Sequence, residues 1–543
     1  MKIWIPLFAV LIALFAGCNR SNNDRTRYQI FKYNEYAGIT SLDPAFARSM
    51  NNMWAVNQLF NGLVQFDEKL KVKPCIAKSW TIADNGQTYL FHLRTDVWFH
   101  PDAAFEGGKG RKVKASDFVY SFNRLIDPKV ASPGAWVFEP VDVTHPATAF
   151  EALNDSTLVI HLKKAFPPFL GLLSMQYCSV VPKEVIMRYG DDFRNHPVGT
   201  GPFQLKLWKE GVKMVLTRNP HYFEVENGKQ LPFLDAVSIS FIVDKQAAFL
   251  EFIKGNLDFM SGIDASYKDE VLTRSGKLKE KYKDRINLLR QPYLNTEYLG
   301  FYVGNATEQT NPLNDIRIRQ AINYGFDRVK MVKHLRNSIG IPGIYGFIPT
   351  GMPGFDSTKA IGYSYQPEKS RQLLLKAGYP NGKGLPPIKL ITNASYLDLC
   401  KYIQQQLNQI GFDIRIDVTP PATLREMMAQ GKAPFFRGSW IADYPDAENY
   451  LSLFYSKNHS PIGPNYTHFS NKSFDQLFEQ SRTVVNDTAR YALYGKMDNL
   501  IMNEAPVVVL YYDEVLRFTN KRVSGLGNNP MNLLTLKHVK IRL

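Results

Sequence analysis

Residues 396–418 read YLDLCKYIQQQLNQIGFDIRIDV, and this stretch decides the fold class of the chain. Gly411 is placed to end a helix, and residues 412–418 then alternate strictly between apolar and polar side chains, as in a half-exposed strand. A helix that leads directly into such a strand predicts an α/β protein. The apolar side chains at helical spacing before the glycine are Leu399, Tyr402, Ile403, Leu407 and Ile410.

Other segments repeat this alternation of short helices and strands. Residues 88–94 and 157–162 are predicted as strands, and residues 116–125 as a helix capped by Ser116. A helix from Pro367 to Ala377 has proline at its start and glycine just after its end. A further helix is predicted to begin near Asn314–Asp315 and to bury Ile318, Ala321, Ile322 and Phe326.

The chain has 543 residues, more than one hydrophobic core usually supports, so two or three lobes are expected. Aromatic residues make up 13%, which fits either large cores or an aromatic-lined cleft. The net charge of +15 comes from scattered basic residues. We therefore expect no nucleic-acid binding, but a mildly basic surface that suits the neighbourhood of anionic lipid.

Residues 1–17 have the pattern of an export signal. Lys2 precedes an apolar run from Ile3 to Phe15, which is too short for a comfortable membrane span. Small residues then precede Cys18, as in a bacterial lipobox, although Phe15 stands where that motif prefers leucine. We predict that Cys18 carries a lipid and that residues 18–27 form a tether, which places the exported chain on the periplasmic face or the cell surface. A plain signal peptide is the alternative.

The remaining cysteines and histidines indicate neither a metal site nor an enzyme. Cys75, Cys178 and Cys400 lie far apart, which allows one disulfide with a spare thiol or three buried thiols. The sequence lacks HExxH, GxSxG and CxxC, and its GTGP loop lacks the spacing of a phosphate-binding motif. We therefore expect no catalytic activity, no cofactor and no metal.

An ordered series of short motifs runs from about residue 28 to the C-terminus. Together these motifs resemble the family 5 extracellular solute-binding proteins, the oligopeptide- and dipeptide-binding proteins of ABC importers. The series consists of LDPA (42–45), LFNGLV (59–64), IAKSW (76–80), FHLR (91–94), DFVYSF (117–122), PVGTGPF (197–203), RIRQAI (317–322) and WIADYPD (440–446).

The resemblance implies a two-lobed, periplasmic-binding-protein-like fold of type II, with an extra inserted lobe and a cleft that closes about a hinge. Lobe I would be discontinuous, the inserted lobe would cover residues 71–197, and lobe III would cover residues 291–505. The segments of lobe I would be residues 28–70, 198–290 and 506–543.

The implied function is capture of short peptides by a monomer that delivers them to the permease of an ABC importer. Family resemblance does not fix the ligand, because one fold hosts many functions. A sugar oligomer, a nickel chelate, haem or a cell-wall peptide is an alternative ligand. A chaperone or adhesion role at the envelope is the alternative function.

Residues 435–444, FFRGSWIADY, contain one cation and one anion in a run of apolar and small residues. On an extended strand Arg437 and Asp443 would share a face roughly 20 Å apart, which suits the two ends of a short peptide. A structural ion pair or solvated charges is the alternative. The resemblance implies that Asp443 receives the α-ammonium, Arg437 receives the α-carboxylate of certain peptide lengths, and Trp440 lines a side-chain pocket.

Two positions depart from the family pattern. Asp398 takes the place of a histidine that anchors ligand carboxylates, and Gly134 takes the place of an aromatic pocket residue. Ser49 and Met50 fall where the lobe I loop would touch the amino end of the ligand, or else pack on the core. Asp446 is expected to stabilise the start of a helix over residues 447–454.

Overall fold

The computed structural model describes residues 28–143, 149–264, 267–304 and 311–542. Cys18, the predicted signal and the predicted tether lie outside these ranges. Within them, no helix combines the length and the apolar character needed to cross a bilayer.

Strands form one large mixed sheet, a four-stranded sheet and three two-stranded ribbons among the described residues. In chain order they are β1 (Ile30–Asn34), β2 (Val64–Phe66), β3 (Val72–Pro74), β4 (Ala77–Ala83), β5 (Thr88–Leu93), β6 (Phe150–Asn154), β7 (Thr157–His161), β8 (Phe203–Lys209), β9 (Lys213–Arg218), β10 (Val225–Glu226), β11 (Lys229–Gln230), β12 (Ala236–Ser240), β13 (Phe259–Ser261), β14 (Ile286–Phe301), β15 (Ile341–Pro342), β16 (Ile388–Thr392), β17 (Ile414–Val418), β18 (Phe435–Ile441), β19 (Val507–Asn520), β20 (Val523–Ser524) and β21 (Lys540–Ile541).

Helices lie between these strands and cover the sheets. In chain order they are α1 (Met50–Leu59), α2 (Ala115–Ile126), α3 (Phe169–Leu173), α4 (Lys183–Tyr189), α5 (Lys245–Ile253), α6 (Lys268–Val271), α7 (Glu280–Lys283), α8 (Ile316–Tyr324), α9 (Arg328–Leu335), α10 (Pro367–Lys376), α11 (Leu397–Asn408), α12 (Pro421–Ala429), α13 (Glu448–Leu451), α14 (Lys472–Ser481) and α15 (Asp487–Glu504).

The helix and strand predicted over residues 396–418 are present as α11 and β17. Gly411, between them, has φ of 118°, a backbone conformation that favours glycine. β17 pairs in parallel with β16, and α11 packs on both strands. This βαβ arrangement is the unit that the sequence pattern predicts.

The start of α2 differs from its prediction. The helix begins at Ala115, so Ser116 lies inside the first turn and the prediction that it caps the helix was wrong. Asp117 supplies the cap instead, because its carboxylate accepts a hydrogen bond of 2.9 Å from the backbone N–H of Lys114. Arg111 holds that carboxylate in place at 2.7 Å.

Two long strands join the two halves of the large sheet. The strand order is β17-β16-β18-β14-β19-β13-β1-β12-β9-β8, with β15 added beside β19. Residues 286–292 of β14 pair with 514–520 of β19, whereas residues 296–300 pair with 507–512 and also with β18. The register breaks between Pro292 and Thr296, where the chain passes from one half to the other. The rotation of the two halves that the resemblance implies would be centred on these two crossing strands.

The inserted lobe contains the four-stranded sheet β4-β5-β7-β6. Helix α2 packs on β6 and β7, and its Phe122 ring lies 4.7 Å from that of Phe138 and 5.3 Å from that of Phe150, measured between centroids. The exact limits of the three lobes stay a prediction.

The three cysteines of the described chain, Cys75, Cys178 and Cys400, are all free and buried. Of the two alternatives that the sequence left open, the structure therefore has three buried thiols rather than a disulfide. Burial raises the pKa of each of these thiols, which makes them poor nucleophiles.

Candidate ligand-binding site

Strand β18 carries Arg437 and Trp440, but it ends at Ile441. Asp443 therefore lies beyond the strand, in the turn that leads to α13. The extended strand on which the expected separation of roughly 20 Å was based therefore ends two residues before Asp443. Arg437 and Asp443 belong to two different local environments.

Asp443 is solvent-exposed but surrounded by protein, as expected for a carboxylate inside a cleft. The Nδ2 of Asn449 donates to its Oδ2 at 3.3 Å. Among the described residues, no nitrogen of lysine, arginine or histidine lies within 4 Å of this carboxylate. Desolvation raises the pKa of Asp443, and the hydrogen bond from Asn449 opposes that shift. The carboxylate thus lacks a counter-charge.

Asn449 connects Asp443 to Trp440. Its Oδ1 accepts the indole N–H of Trp440 at 2.9 Å and the backbone N–H of Asp443 at 3.2 Å. One buried amide side chain therefore fixes both the predicted pocket tryptophan and the predicted ammonium anchor. Sequence reasoning missed Asn449, and only its place in the first turn after Asp446 hinted at a role.

Asp446 holds the short helix that carries Asn449. Its Oδ1 accepts the backbone N–H of Glu448 at 2.9 Å and the hydroxyl of Tyr494 at 2.7 Å. Arg490 lies 3.4 Å from its Oδ2. The expected role of Asp446 at the helix start is confirmed, and the helix is α13 followed by a 3₁₀ turn over Ser452–Phe454.

The inserted lobe faces Asp443 with aromatic side chains. Burial raises the pKa of Tyr177 to about 12, with Arg48 opposing the shift and Asp443 adding to it. The hydroxyl of Tyr177 therefore lies within electrostatic range of both charges. The ring of Trp136 lies 6.2 Å from that of Tyr444, measured between centroids.

The space above Gly134 is already filled. A Cβ atom at this position would lie 2.3 Å from Cδ1 of Tyr177, so the tyrosine ring rests on the glycine backbone. The aromatic residue that the resemblance implies at position 134 is thus replaced in space by Tyr177, which comes from a distant part of the chain.

Ser49 and Met50 lie at the start of α1, directly after Arg48. Ser49 is exposed and is the residue before the helix, without a side-chain hydrogen bond to it. Met50 is half-buried and packs against the core of lobe I and the inserted lobe. Their contact with a ligand stays a prediction.

Arg437 is buried, with 9% of its surface exposed, and it forms an ion pair with Glu297 of β14. The Cζ atom of Arg437 lies 3.2 Å from the centre of the Tyr396 ring. Burial opposes the charge on Arg437, but the Glu297 carboxylate outweighs burial and raises the pKa of the guanidinium. Sequence reasoning missed Glu297, although a single acid within the apolar run LNTEYLGFYV was a usable signal.

Asp398 is exposed in the first turn of α11. An acid at this end of a helix is favoured by the helix dipole. Tyr396, just before that turn, is the residue that reaches Arg437.

Comparison with known proteins identifies the family. Residues 71–461 match the model of the "Bacterial extracellular solute-binding proteins, family 5 Middle". The chain belongs to the family 5 bacterial extracellular solute-binding proteins. The predicted membership is confirmed, and so is the prediction that the chain is a binding protein rather than an enzyme, because the members of family 5 bind solutes.

Two binding proteins of known name resemble this chain over most of its length. The dipeptide-binding protein of Escherichia coli strain K12 is 25% identical over 498 residues, which cover 89% of each chain. Heme-binding protein A of Haemophilus influenzae is 27% identical over 490 residues, with 87% of this chain and 85% of the relative covered.

Solved structures show the same fold. The periplasmic binding protein DppA of Helicobacter pylori, in complex with the peptide STSA, superimposes with a TM-score of 0.75 and is 25% identical. The match covers 95% of this chain and 99% of that one. The predicted α/β fold of type II is therefore confirmed.

Proposed function

We propose that this family 5 protein is a lipid-anchored, monomeric receptor that captures short peptides by their free amino end and delivers them to the permease of an ABC importer. The extracellular character of the family supports the predicted export. The dipeptide-binding relative and the peptide complex of the H. pylori protein support peptides as the ligand class.

The observation that carries the proposal is the carboxylate of Asp443, which has no counter-ion among the described residues. A partly desolvated carboxylate without a counter-ion is unfavourable, and a bound ammonium group would relieve that cost. Asn449 already holds the carboxylate in position, so the side chain loses little conformational freedom when a ligand binds. The α-ammonium of a peptide provides the charge and the three hydrogen-bond donors that such a site needs.

The remaining contacts would come from both sides of the cleft. Trp440 would line a side-chain pocket, while Ser49 and Met50 would approach the amino end of the ligand from lobe I. Closure about β14 and β19 would bring the two sides together and exclude water from the Asp443 carboxylate. Exclusion of water strengthens the ammonium–carboxylate contact.

Calorimetry with free and N-acetylated tri- to pentapeptides tests the proposal. The free peptides should bind, and acetylation should weaken binding at least tenfold because it removes the ammonium charge. The Asp443→Asn variant should bind both forms with similar, weak affinity. Asp417→Asn is the matched control, since it removes one charge from a half-exposed side chain of β17 that pairs with Lys389. Equal affinity of the wild type for both forms would contradict the role of Asp443.

Haem is the second candidate ligand, because Heme-binding protein A is 27% identical to this chain. Asp443 argues against it, since an unpaired carboxylate in the cleft repels the propionates of haem. A titration with haem, monitored by the Soret absorption band, decides between haem and peptides as the ligand. A saturable spectral shift at micromolar haem, without peptide binding, would favour haem.

The proposed anchor has its own test. The Cys18→Ser variant, expressed in a bacterial envelope, should move from the membrane fraction to the soluble extracytoplasmic fraction. If the wild-type chain is itself found in the soluble fraction, the lipid anchor is wrong and the plain signal peptide is favoured.

A further inference from the structure

Arg437 lies in a network of paired charges beside the hinge. Its guanidinium contacts Glu297, and Arg336 contacts Asp513 at 2.7 Å. Glu297 lies on β14 and Asp513 on β19, the two strands that cross between the halves of the sheet. The four groups are two cations and two anions, so together these side chains carry no net charge.

Glu297 is fixed in its place by three donors. One carboxylate oxygen accepts from Arg437, and the other accepts from the Nδ2 of Asn295 at 3.1 Å and from the hydroxyl of Tyr396 at 3.5 Å. Only 3% of the residue is exposed. Breaking a buried and fully hydrogen-bonded carboxylate away from its partners is costly, so Glu297 stays beside Arg437 when a ligand arrives.

A ligand carboxylate at Arg437 would therefore meet a second carboxylate. Like charges that share a poorly solvated site repel one another strongly. The ring of Tyr396 also covers one face of the guanidinium. The Nη2 group donates to Glu297 and the Nε–H is buried, so a ligand can approach only the Nη1 end of the guanidinium. That end carries no surplus charge, which suits an uncharged oxygen such as an amide carbonyl.

We propose that Glu297 is a specificity-determining residue, and that the ligand places a neutral amide carbonyl at Arg437, not a carboxylate. This inference rests on the proposed function, because it describes the far end of a ligand whose ammonium group lies at Asp443. The substrate class is thus peptides held by their amino end and main chain, with no requirement for a free carboxyl end at Arg437. Terminal amides and longer peptides belong to this class.

Calorimetry with alanine tri-, tetra- and pentapeptides, each as the free acid and as the C-terminal amide, tests the inference. For the wild type we expect acid and amide to bind within about threefold of each other at every length. In Glu297→Gln the guanidinium loses its counter-charge, so the affinity for the free acids should rise at least tenfold relative to that for the amides. Asp417→Asn, the half-exposed control on β17, should leave the ratio of acid to amide as in the wild type.

The wild-type measurement stands even if Glu297→Gln does not fold. A wild type that prefers free acids more than tenfold overturns the inference but leaves the proposed function intact, because amine-dependent binding is retained. A Glu297→Gln protein that folds and keeps the wild-type ratio also overturns it. Failure of every peptide to bind, with the free amine present, would overturn the proposed function and this inference together.

Discussion

The ring of Tyr177 rests on the backbone of Gly134, so that a Cβ atom at residue 134 would lie 2.3 Å from its Cδ1. Glycine leaves the ring room at this point, and the Tyr177 hydroxyl lies within electrostatic range of the Asp443 carboxylate. The two residues therefore act as one unit that shapes this wall of the cleft. Neither can change in size without affecting the other.

Gly134→Ala should destabilise the protein by about 1–3 kcal/mol, because the new methyl group overlaps the Tyr177 ring. In a Tyr177→Ala background the same change should cost less than about 0.5 kcal/mol, since the overlap is gone. Urea unfolding of the four proteins of this double-mutant cycle measures both costs. Additive effects of the two substitutions would show that the ring does not rest on Gly134.

Asn449→Ala should weaken peptide binding about tenfold or more, because Trp440 and Asp443 lose the amide that orients them. Calorimetry with free and N-acetylated peptides measures this, and the preference for the free amine should shrink. The control is Asn499→Ala, which removes an amide that supports residues 359–361 instead. Equal losses in the two variants would show a general effect on stability rather than a role in the site.

Peptide affinity should fall as the pH is lowered toward about 4, the ordinary range of aspartate. Desolvation raises the pKa of Asp443 in the free protein, so this carboxylate is protonated at a higher pH than an ordinary aspartate. A bound ammonium lowers that pKa again, and binding in this window should release protons. Calorimetry in buffers with different ionisation enthalpies detects the release, which should be absent in Asp443→Asn. An affinity that is constant from pH 7 to pH 4 would count against this mechanism.

Stability should depend on pH through Asp498 of α15. Burial raises its pKa to about 7, with the backbone N–H groups of Phe347 and Ile348 opposing the shift. A raised pKa in the folded state gives stability that is fully present below about pH 4 and is lost as the pH rises through about 7. The free energy of unfolding should therefore drop between these values, by at most about 4 kcal/mol.

Urea unfolding at several pH values measures this dependence. The Asp498→Asn variant, whatever its absolute stability, should show a shallower fall over the same range, because the titrating carboxylate has been removed. An unchanged slope in that variant would mean that another group is responsible.

Much of the fold could be predicted from local sequence patterns. The helix and strand of residues 396–418 were predictable because their apolar spacing differs clearly, and a glycine marks the junction. The cap of α2 was not predictable in this way, because Arg111 of the preceding loop holds Asp117 in place. Helix boundaries of this kind depend on contacts that the periodicity of the sequence does not show.

The candidate site was predictable only in part. Asp443 was singled out from its motif, and in the described part of the chain its carboxylate has no counter-ion. Arg437 was singled out in the same way, yet its partner Glu297 lies 140 positions earlier on a neighbouring strand. Register between distant strands depends on tertiary structure, so the neutralised charge of Arg437 could not be inferred from residues 435–444 alone.

The strands that both halves share also affect how the chain is made. Trp54 and Gln58 of α1 donate to the backbone of Asn532 and Leu534. β19 pairs with β14 in both halves of the large sheet, and in one of them it also pairs with β13. Neither half can complete its part of the large sheet until β19, residues 507–520, has been synthesised. The long preceding part of the polypeptide must therefore wait incompletely folded, with its apolar strands in need of protection from aggregation.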